Sequence, residues 1–291
     1  MCDQTIPAAL EVRDLTKHYA GFTLDGVSFC VPRGTIVGLI GENGAGKSTT
    51  LRSILGLIQK DGGSVTLLGQ EEGERDPALR EQIGVVFDGS HFPDSLTPRQ
   101  LGRVFARIYA TWEGAYYLDL LGQLGLPMEK KISAFSRGMK MKLAIAAALA
   151  HRPRLLVLDE ATSGLDPVVR DDILDLLLGF VQDEENAILI SSHITSDLEK
   201  VADTIVFLHE GRCIFSKPKD ELIYRYGILR CGAAQFEALD RADVVAWRRR
   251  DYQFEALVAD RDTARRKYPK TVVDAATIDD IMLLHAKGEI V

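Results

Sequence analysis

The first third of the chain shows two successive patterns of apolar and polar residues. Apolar and polar positions alternate through residues 10–31, which is typical of half-buried antiparallel strands. Residues 35–41, TIVGLIG, form a continuous apolar run, and such a run indicates a strand that is covered on both faces. Residues 47–58 then follow a helical pattern. We therefore expect an antiparallel β segment followed by a buried strand and a helix.

Strands and helices continue to alternate up to about residue 193. The interval from Leu96 to Ala150 is helical, so an all-α insert of about residues 89–150 interrupts the strands. Because strands that alternate with helices form parallel sheets with right-handed crossovers, the pattern predicts an α/β fold with a mainly parallel sheet. Strands are predicted at residues 64–69, 83–88, 154–160 and 187–193, and a helix at residues 166–181.

The character of the sequence changes after Tyr226. Short strand and helix patterns follow, and residues 244–258 resemble a β-hairpin. We expect residues 1–226 to form one domain, with an antiparallel β subdomain and the helical insert attached to its sheet. Residues 227–291 are expected to form a small C-terminal α+β domain.

Composition and charge narrow the class of protein. Of the 291 residues, 46% are hydrophobic and 26% are charged, which is the balance of a globular chain with a sizeable core. The net charge is −7, and the basic residues are dispersed apart from short clusters at residues 248–250 and 265–267. No nucleic-acid footprint is present, so no nucleic-acid partner is expected.

The sequence contains no evident targeting or membrane segment. The N-terminus lacks the basic start and apolar centre of a signal peptide, and no apolar run approaches the ~20 residues that span a bilayer. The four cysteines lie far apart without a Cys-x-x-Cys pair, which argues against zinc and a disulfide framework and predicts reduced thiols. We expect a cytoplasmic protein that reaches a membrane only through another subunit.

The strongest chemical signal is the segment GENGAGKST at residues 41–49, which fits the pattern G-x-x-x-x-G-K-[ST] between a predicted strand and a predicted helix. The glycines let the backbone curl so that successive N–H groups face phosphate oxygens. Lys47 carries a positive charge to the β and γ phosphates, and Ser48 offers a hydroxyl to Mg²⁺. The predicted nucleotide site comprises Gly41, Asn43, Gly44, Gly46, Lys47, Ser48 and Thr49.

Two carboxylates follow the predicted buried strand at residues 154–160. Asp159 and Glu160 stand at the carboxyl-terminal edge of that strand, where parallel sheets bind their ligands. Asp159 is suited to holding Mg²⁺, and Glu160 is suited to polarising a water molecule that attacks the γ-phosphate. The Asn-Lys-x-Asp sequence with which GTPases recognise guanine does not occur, which disfavours a GTPase.

An abrupt helix start is predicted at Ser136, in the segment AFSRGMKMKLAIAAALA. A helix start exposes unpaired backbone N–H groups and a partial positive charge. Ser136 followed by Gly138 is therefore either an ordinary helix cap or a contact for an anion.

Together these motifs resemble those of the ATP-binding subunit of an ABC transporter, and the resemblance covers about residues 10–226. It implies a P-loop ATPase of the ABC type in which Lys47, Glu160 and His193 are catalytic. His193, in the sequence ISSH, resembles the switch histidine that contacts the γ-phosphate. Tyr19 resembles the aromatic residue that stacks on adenine.

The same resemblance implies a dimer. Ser136 and Gly138 lie where the family has its signature motif, and Asp166 lies in a loop similar to the one that crosses between two subunits. Two chains would then enclose two ATP molecules, with the helix start at Ser136 of each chain facing the nucleotide held by the other. Ser48 and Asp159 would hold Mg²⁺ beside each nucleotide. ATP would hold the dimer together, and hydrolysis would release it.

Several positions depart from the common family pattern. Asp88 stands where a glutamine usually follows the strand, and its shorter, charged side chain would approach Mg²⁺ or the attacking water. Arg137 and Met139 replace a glycine and a glutamine of the signature motif, and Ala161 replaces a proline. These changes bear on the rate of turnover more than on ATP binding.

The form Ser-[basic]-Gly-Met of the signature and the stretch GVVFD are most similar to those of bacterial exporters of the antibiotic-resistance and drug-efflux type. This resemblance implies export through a separate membrane permease, with the chain held peripherally at the inner face of the membrane. The permease is expected to dock beside the helical insert, at Gly89, Ser90, His91 and Phe92, with Leu96 behind them.

A homodimer is preferred over a heterodimer, because a subunit that only binds ATP would not need Lys47, Glu160 and His193 together. Two alternatives stay open. One is a weakly hydrolysing half of a heterodimer, which Asp88 and Arg137 suggest. The other is a soluble ABC-type switch without a permease, which the single P-loop and the short helical insert disfavour.

Overall fold

The computed structural model describes residues 7–71, 76–89 and 92–290. The chain divides into two compact units. The first runs to Ala202 and includes Leu208–Ile214, and the second comprises Asp203–Phe207 and the residues from Phe215 onward.

The bounds of the helices and strands follow in chain order. The strands are β1 (Ala8–Tyr19), β2 (Phe22–Pro32), β3 (Ile36–Ile40), β4 (Gly62–Leu67), β5 (Gln70–Glu71), β6 (Ile83–Val86), β7 (Leu155–Asp159), β8 (Ala187–Ser192), β9 (Thr204–His209), β10 (Arg212–Pro218), β11 (Gly227–Cys231), β12 (Val244–Arg250), β13 (Gln253–Val258), β14 (Val272–Ala275) and β15 (Glu289–Ile290). The helices are α1 (Lys47–Ile54), α2 (Pro77–Glu81), α3 (Pro98–Phe105), α4 (Gly114–Gln123), α5 (Arg137–Leu149), α6 (Pro167–Phe180), α7 (Thr195–Val201), α8 (Lys219–Arg225), α9 (Ala233–Glu237), α10 (Arg261–Lys267) and α11 (Ile278–Lys287), with short 3₁₀ turns at Ile132–Ala134 and Arg241–Asp243.

The antiparallel segment predicted at residues 10–31 is confirmed. Strands β1 and β2 form a hairpin in which Tyr19 pairs with Phe22, and the sheet has the order β2-β1-β4-β5. The apolar positions of the alternation, such as Leu10, Val12 and Leu15, are buried. The period-2 pattern therefore identified the inner face of this sheet correctly.

The mainly parallel sheet is also confirmed. It has the order β10-β9-β3-β8-β7-β6, and the pairs β3–β8, β7–β8 and β6–β7 are parallel. Every residue of β3, β7 and β8 is buried, as their continuous apolar runs predict. Ile40 pairs with Ser192 and Asp159 pairs with Ser191, so the three strands end at the same level. The residues that follow them lie together at one edge of the sheet, the usual place for a ligand site.

The all-α insert contains α3, α4 and α5. Helix α3 begins with a capping box in which Thr97 and Gln100 exchange hydrogen bonds. The buried hydroxyl of Tyr117 donates to the backbone oxygen of Pro98 at 3.0 Å and ties α4 to the start of α3. Burial raises the pKa of this phenol, which keeps the hydroxyl protonated as a donor.

The first helix is shorter than its sequence pattern predicts. It ends at Ile54 rather than continuing to residue 58, because Gly56 adopts a left-handed conformation with φ of 64°. Glycine tolerates this conformation without steric cost and commonly terminates helices.

The second unit contains an antiparallel sheet in the order β14-β11-β13-β12-β15. The hairpin predicted at residues 244–258 is confirmed by the antiparallel pair β12–β13. A cluster around Leu229 and Val258 forms the core of this sheet, and Phe236 stacks on Phe254 with ring centroids 4.3 Å apart. Aromatic packing therefore contributes much of the apolar contact in this small unit.

Two other findings concern membrane segments and cysteines. Within the described residues, no helix is both long and apolar enough to cross a bilayer. Cys213 and Cys231 are thiols, whereas Cys30 is disulfide-bonded. The expectation of reduced thiols is therefore wrong for Cys30.

Candidate active site

The P-loop curls between β3 and α1. A side chain at Gly41 would place its Cβ 2.4 Å from the backbone oxygen of Leu208, so only glycine fits there. Gly46 has φ of 109° and starts α1 without any side-chain cap. The first-turn N–H groups of α1 thus have no side-chain cap at Gly46, and such helix starts commonly bind phosphate.

Lys47 is buried, with 6% of its side chain exposed, and its ammonium group lies at the loop. Its Nζ donates to the backbone oxygens of Gly41 at 2.8 Å and Glu42 at 3.3 Å, and it lies 3.4 Å from Oε1 of Glu160. A buried ammonium needs such acceptors, since desolvation without them is costly. The lysine links the P-loop to the carboxylate at the end of β7.

Asp159 is the other buried charge of the site. Its Oδ1 accepts a hydrogen bond from Oγ of Ser191 at 2.6 Å and one from Oγ of Ser48 at 3.3 Å. Sequence reasoning predicted Ser48 and Asp159 as a pair but missed Ser191, because a lone serine at a strand end has no recognisable pattern. Carboxylate and hydroxyl oxygens are hard donors that suit Mg²⁺, so the set fits this cation.

Glu160 is held by its backbone as well as by its side chain. It has φ of 53°, a conformation that non-glycine residues rarely adopt, and its N–H donates to Oγ of Ser191 at 3.1 Å. Nδ1 of His193 lies 2.6 Å from Oε2 of Glu160. A strained residue fixed by several partners is typical of an active site, and the action of Glu160 on an attacking water stays a prediction.

The structure brings four of the predicted site residues into one cleft of about 530 Å³. Ser48, Asp88, Asp159 and Glu160 line it, together with Arg52. Ser136 and Gly138 are not among the described residues that line this cleft.

Asp88 and Arg137 are partners. Nη2 of Arg137 donates to Oδ1 of Asp88 at 2.9 Å, and each side chain is about half exposed. Sequence reasoning treated these residues as separate departures from a pattern, because 49 positions separate them. The approach of Asp88 to Mg²⁺ or to the attacking water stays a prediction.

Ser136 and Asp166 are both helix caps. Oγ of Ser136 accepts from the N–H of Met139 at 3.2 Å, and Oδ1 of Asp166 accepts from the N–H of Val169 at 3.1 Å. A Cβ on Gly138 would lie 3.2 Å from Cγ1 of Val169, so α5 and α6 pack closely at their first turns. The ordinary cap at Ser136 is therefore observed, and its contact with an anion stays a prediction.

The remaining predicted site residues lie at the end of β1, in the P-loop or in the first turn of α1. Tyr19 ends β1, is 46% exposed, and has the ammonium of Lys17 5.6 Å from its ring centroid. Asn43 and Gly44 are exposed, and Thr49 is half-buried. Their contacts with nucleotide stay predictions.

The segment predicted to meet a permease is described only in part. Gly89 is exposed with φ of 92°, and Phe92 packs edge to face on Phe105 at 5.7 Å. Leu96 is half-buried. Ser90 and His91 lie outside the described residues.

Comparison with known proteins identifies the class. The sequence profile of the ABC transporter family matches residues 24–163. The bacitracin transport ATP-binding protein BcrA of Bacillus licheniformis is 35% identical over 216 residues, covering 73% of this chain and 71% of the relative. The lantibiotic transport ATP-binding protein SrtF of Streptococcus pyogenes is 37% identical, covering 72% of this chain and 91% of the relative. A solved structure of the ATP-binding subunit of an ABC transporter aligns with a TM-score of 0.67 at 32% identity, covering 74% of this chain and 91% of that one.

The chain therefore belongs to the ATP-binding proteins of the ABC transporter family. Its fold is the ABC-type P-loop fold, and its activity is ATP hydrolysis coupled to transport. The family, fold and activity implied by the sequence resemblance are confirmed.

Proposed function

We propose that the chain hydrolyses MgATP as one half of a closed dimer and drives export through a separate membrane permease. The observation that carries this proposal is the convergence of Lys47, Ser48, Asp159, Glu160 and His193 on the end of one parallel sheet. These residues would supply a phosphate ligand, a cation site and a general base at that end of the sheet.

Within this cleft, Ser48 and Asp159 would hold Mg²⁺, which neutralises charge on the phosphates when bound. Ser191 holds Asp159 in place and also binds the N–H of Glu160. The carboxylate of Glu160 then orients and polarises the attacking water. His193, 2.6 Å from that carboxylate, fixes its direction and would contact the γ-phosphate.

A second copy of the chain would complete the site. The helix start at Ser136 presents N–H groups and a positive dipole end, and it does not line the cleft of its own chain. Facing the P-loop of a partner, it would add donors to the γ-phosphate, while Asp166 would meet the partner at the subunit boundary. We favour a homodimer because this chain carries every catalytic group.

A permease has a suitable docking surface on this chain. A groove of about 660 Å³ is lined by apolar residues such as Leu57, Leu79, Val85 and Phe87, with Lys60 and Arg80 among its polar lining residues. Its lining includes Val85 of β6, the strand that precedes Gly89, and Gly89 is the first residue of the predicted permease contact. A short amphipathic helix of a membrane protein fits such a groove, because its apolar side chains replace water there.

The cargo and the domain organisation complete the proposal. Because named relatives are transport ATP-binding proteins for bacitracin and lantibiotics, we favour an amphipathic peptide antibiotic or a similar compound as cargo. Residues 1–226 would form the ATP-binding domain and residues 227–291 a separate C-terminal domain. The chain would be cytoplasmic and bound to the inner face of the membrane through its permease.

The dimer is tested with Glu160→Gln, which removes the general base but keeps the size of the side chain. With saturating MgATP this variant is expected to double its mass in light scattering and to lose nearly all turnover. Lys47→Ala is the matched control, and it should stay monomeric because it loses a phosphate ligand. A Glu160→Gln chain that binds ATP and remains monomeric would overturn the dimer.

The permease is tested by isolating the tagged chain under gentle detergent lysis from its native host. The expected result is co-purification with an integral membrane protein, weakened by Leu57→Glu in the groove. Because Leu57 also lines the nucleotide cleft, calorimetry must show that this variant binds MgATP as the unmodified chain does. Ile108→Glu is the control, because both side chains are about 60% exposed and Ile108 lies on the helical insert outside the groove lining. Capture of only soluble proteins by the unmodified chain would contradict the permease.

A further inference from the structure

The guanidinium group of Arg137 bridges two segments of the first unit. Its Nη2 donates to Oδ1 of Asp88 at 2.9 Å, just beyond the end of β6. Its Nη1 lies 2.8 Å from the position that a Cβ would occupy on Gly164, in the loop between Glu160 and α6. The first residue of α5 thus contacts both the edge of the nucleotide cleft and the loop that follows the general base.

Arginine is an unusual choice at this position. It is the first residue of α5, where the helix dipole presents a partial positive charge and disfavours a cation. A nearby carboxylate offsets this repulsion, and Asp88 supplies it. The arginine and the aspartate therefore compensate each other locally.

The charges that line the cleft indicate what the ion pair between Arg137 and Asp88 does. Three carboxylates line the cleft: Asp88, Asp159 and Glu160. Asp159 accepts from two serine hydroxyls, and Glu160 lies beside Lys47 and His193. Asp88 faces Arg137, which belongs to the helical insert. Arg52 is a second cation in the lining of the cleft, but the ion pair of Asp88 is with Arg137. Without that guanidinium, Asp88 would add a negative charge that has lost its ion-pair partner, at the edge of a site that must admit a triphosphate.

We propose that Arg137 is a positioning residue for nucleotide binding, which neutralises and orients the Asp88 carboxylate at the edge of the cleft. The contact with Gly164 keeps the guanidinium in place while it does so. The role is carried out within a single chain and concerns affinity for MgATP rather than the chemical step.

The test is a double-mutant cycle on the purified full-length chain, with calorimetric titration of MgATPγS as the readout. Arg137→Ala is expected to weaken binding about fivefold, the upper range for a half-exposed ion pair. In an Asp88→Asn background the same change should weaken binding by no more than about 1.5-fold, since no carboxylate is left to neutralise. Arg137→Lys should restore most of the affinity, because it keeps the charge.

Three further measurements separate this role from a purely structural one. Steady-state hydrolysis by Arg137→Ala should show a raised KM for MgATP with kcat within about twofold of the unmodified chain. The loss of affinity should shrink in 0.5 M salt, because partly exposed charges are screened. Arg99→Ala is the matched control, since Arg99 lies on the same insert and pairs with Glu129 at 2.5 Å; it should leave affinity unchanged.

Equal losses of affinity with and without the Asp88→Asn change, or no loss at all for Arg137→Ala, would overturn the proposal. If the alanine variant melts well below the unmodified chain, Arg137→Gln replaces it, because the glutamine keeps a hydrogen-bond donor and removes only the charge. The glutamine variant must then show the same dependence on Asp88.

Discussion

Ser191 connects the two carboxylates that we propose carry the chemistry, and its replacement by alanine tests how far they depend on it. The side chain is fully buried, donates to Oδ1 of Asp159 at 2.6 Å, and accepts from the N–H of Glu160 at 3.1 Å. Ser191→Ala removes both bonds. Asp159 keeps the hydroxyl of Ser48 at 3.3 Å, and the N–H of Glu160 keeps the backbone oxygen of Ser191 at 3.2 Å.

The larger loss is the hydrogen bond to the buried charge. Such a bond contributes about 2 kcal/mol, so the free energy of unfolding of the first unit should fall by about that amount. The melting temperature should fall by about 4–8 °C in a unit of this size. Turnover should fall by about tenfold, because Asp159 and Glu160 lose the group that holds them in register.

The assay combines thermal melting with steady-state ATP hydrolysis. Ser192→Ala is the matched control: it is the next residue of β8, equally buried, and its hydroxyl bonds only with the backbone of Ile194 among the described residues. That variant should keep turnover within about twofold. If Ser191→Ala and Ser192→Ala behave alike in both assays, the support attributed to Ser191 is wrong.

Two more predictions concern the P-loop and a half-buried thiol. Gly41→Ala should abolish MgATP binding in calorimetry, because its Cβ would meet the Leu208 oxygen at 2.4 Å. The control Gly122→Ala, on the open surface of α4, should stabilise the chain by up to about 1 kcal/mol. Retained MgATP binding in Gly41→Ala would contradict the steric argument. Burial raises the pKa of Cys213 to about 11, so the reactive thiolate is scarce at pH 8. Alkylation of Cys213 by iodoacetamide, followed by peptide mass spectrometry, should be about a hundredfold slower than that of a model thiol and should rise about tenfold per pH unit up to pH 10. A rate at pH 8 equal to that of the model thiol would refute it.

Sequence patterns predicted the parts of the fold whose signals are local. The alternation in β1 and β2 and the apolar runs of β3, β7 and β8 identify these strands, because burial on one or two faces dictates the residue types directly. The end of α1 was misjudged because the apolar pattern continues past Gly56, where the backbone has already turned. Residues 195–225 received no assignment, although β9 carries a buried apolar run like those of β3 and β8.

For the site as well, the features with a local sequence signal were predicted and the others were not. The P-loop and the pair Asp159 and Glu160 are contiguous motifs, so sequence alone was enough to predict roles for them. Ser191 and the partnership of Asp88 with Arg137 depend on which strands and helices become neighbours in space, and no short segment encodes that. The role of His193 was inferred from the family resemblance. Its 2.6 Å approach to Glu160 depends on the register of β7 and β8, which the sequence does not show.

The helix cap formed by Ser136 leaves its hydroxyl hydrogen uncommitted among the described residues, because the oxygen acts there only as an acceptor toward Met139. An arriving phosphate needs donors, so it would recruit that hydrogen without unmaking the bond that starts the helix. Docking and undocking at this tip would therefore leave the secondary structure intact, which suits the proposed contact with the nucleotide of a second chain.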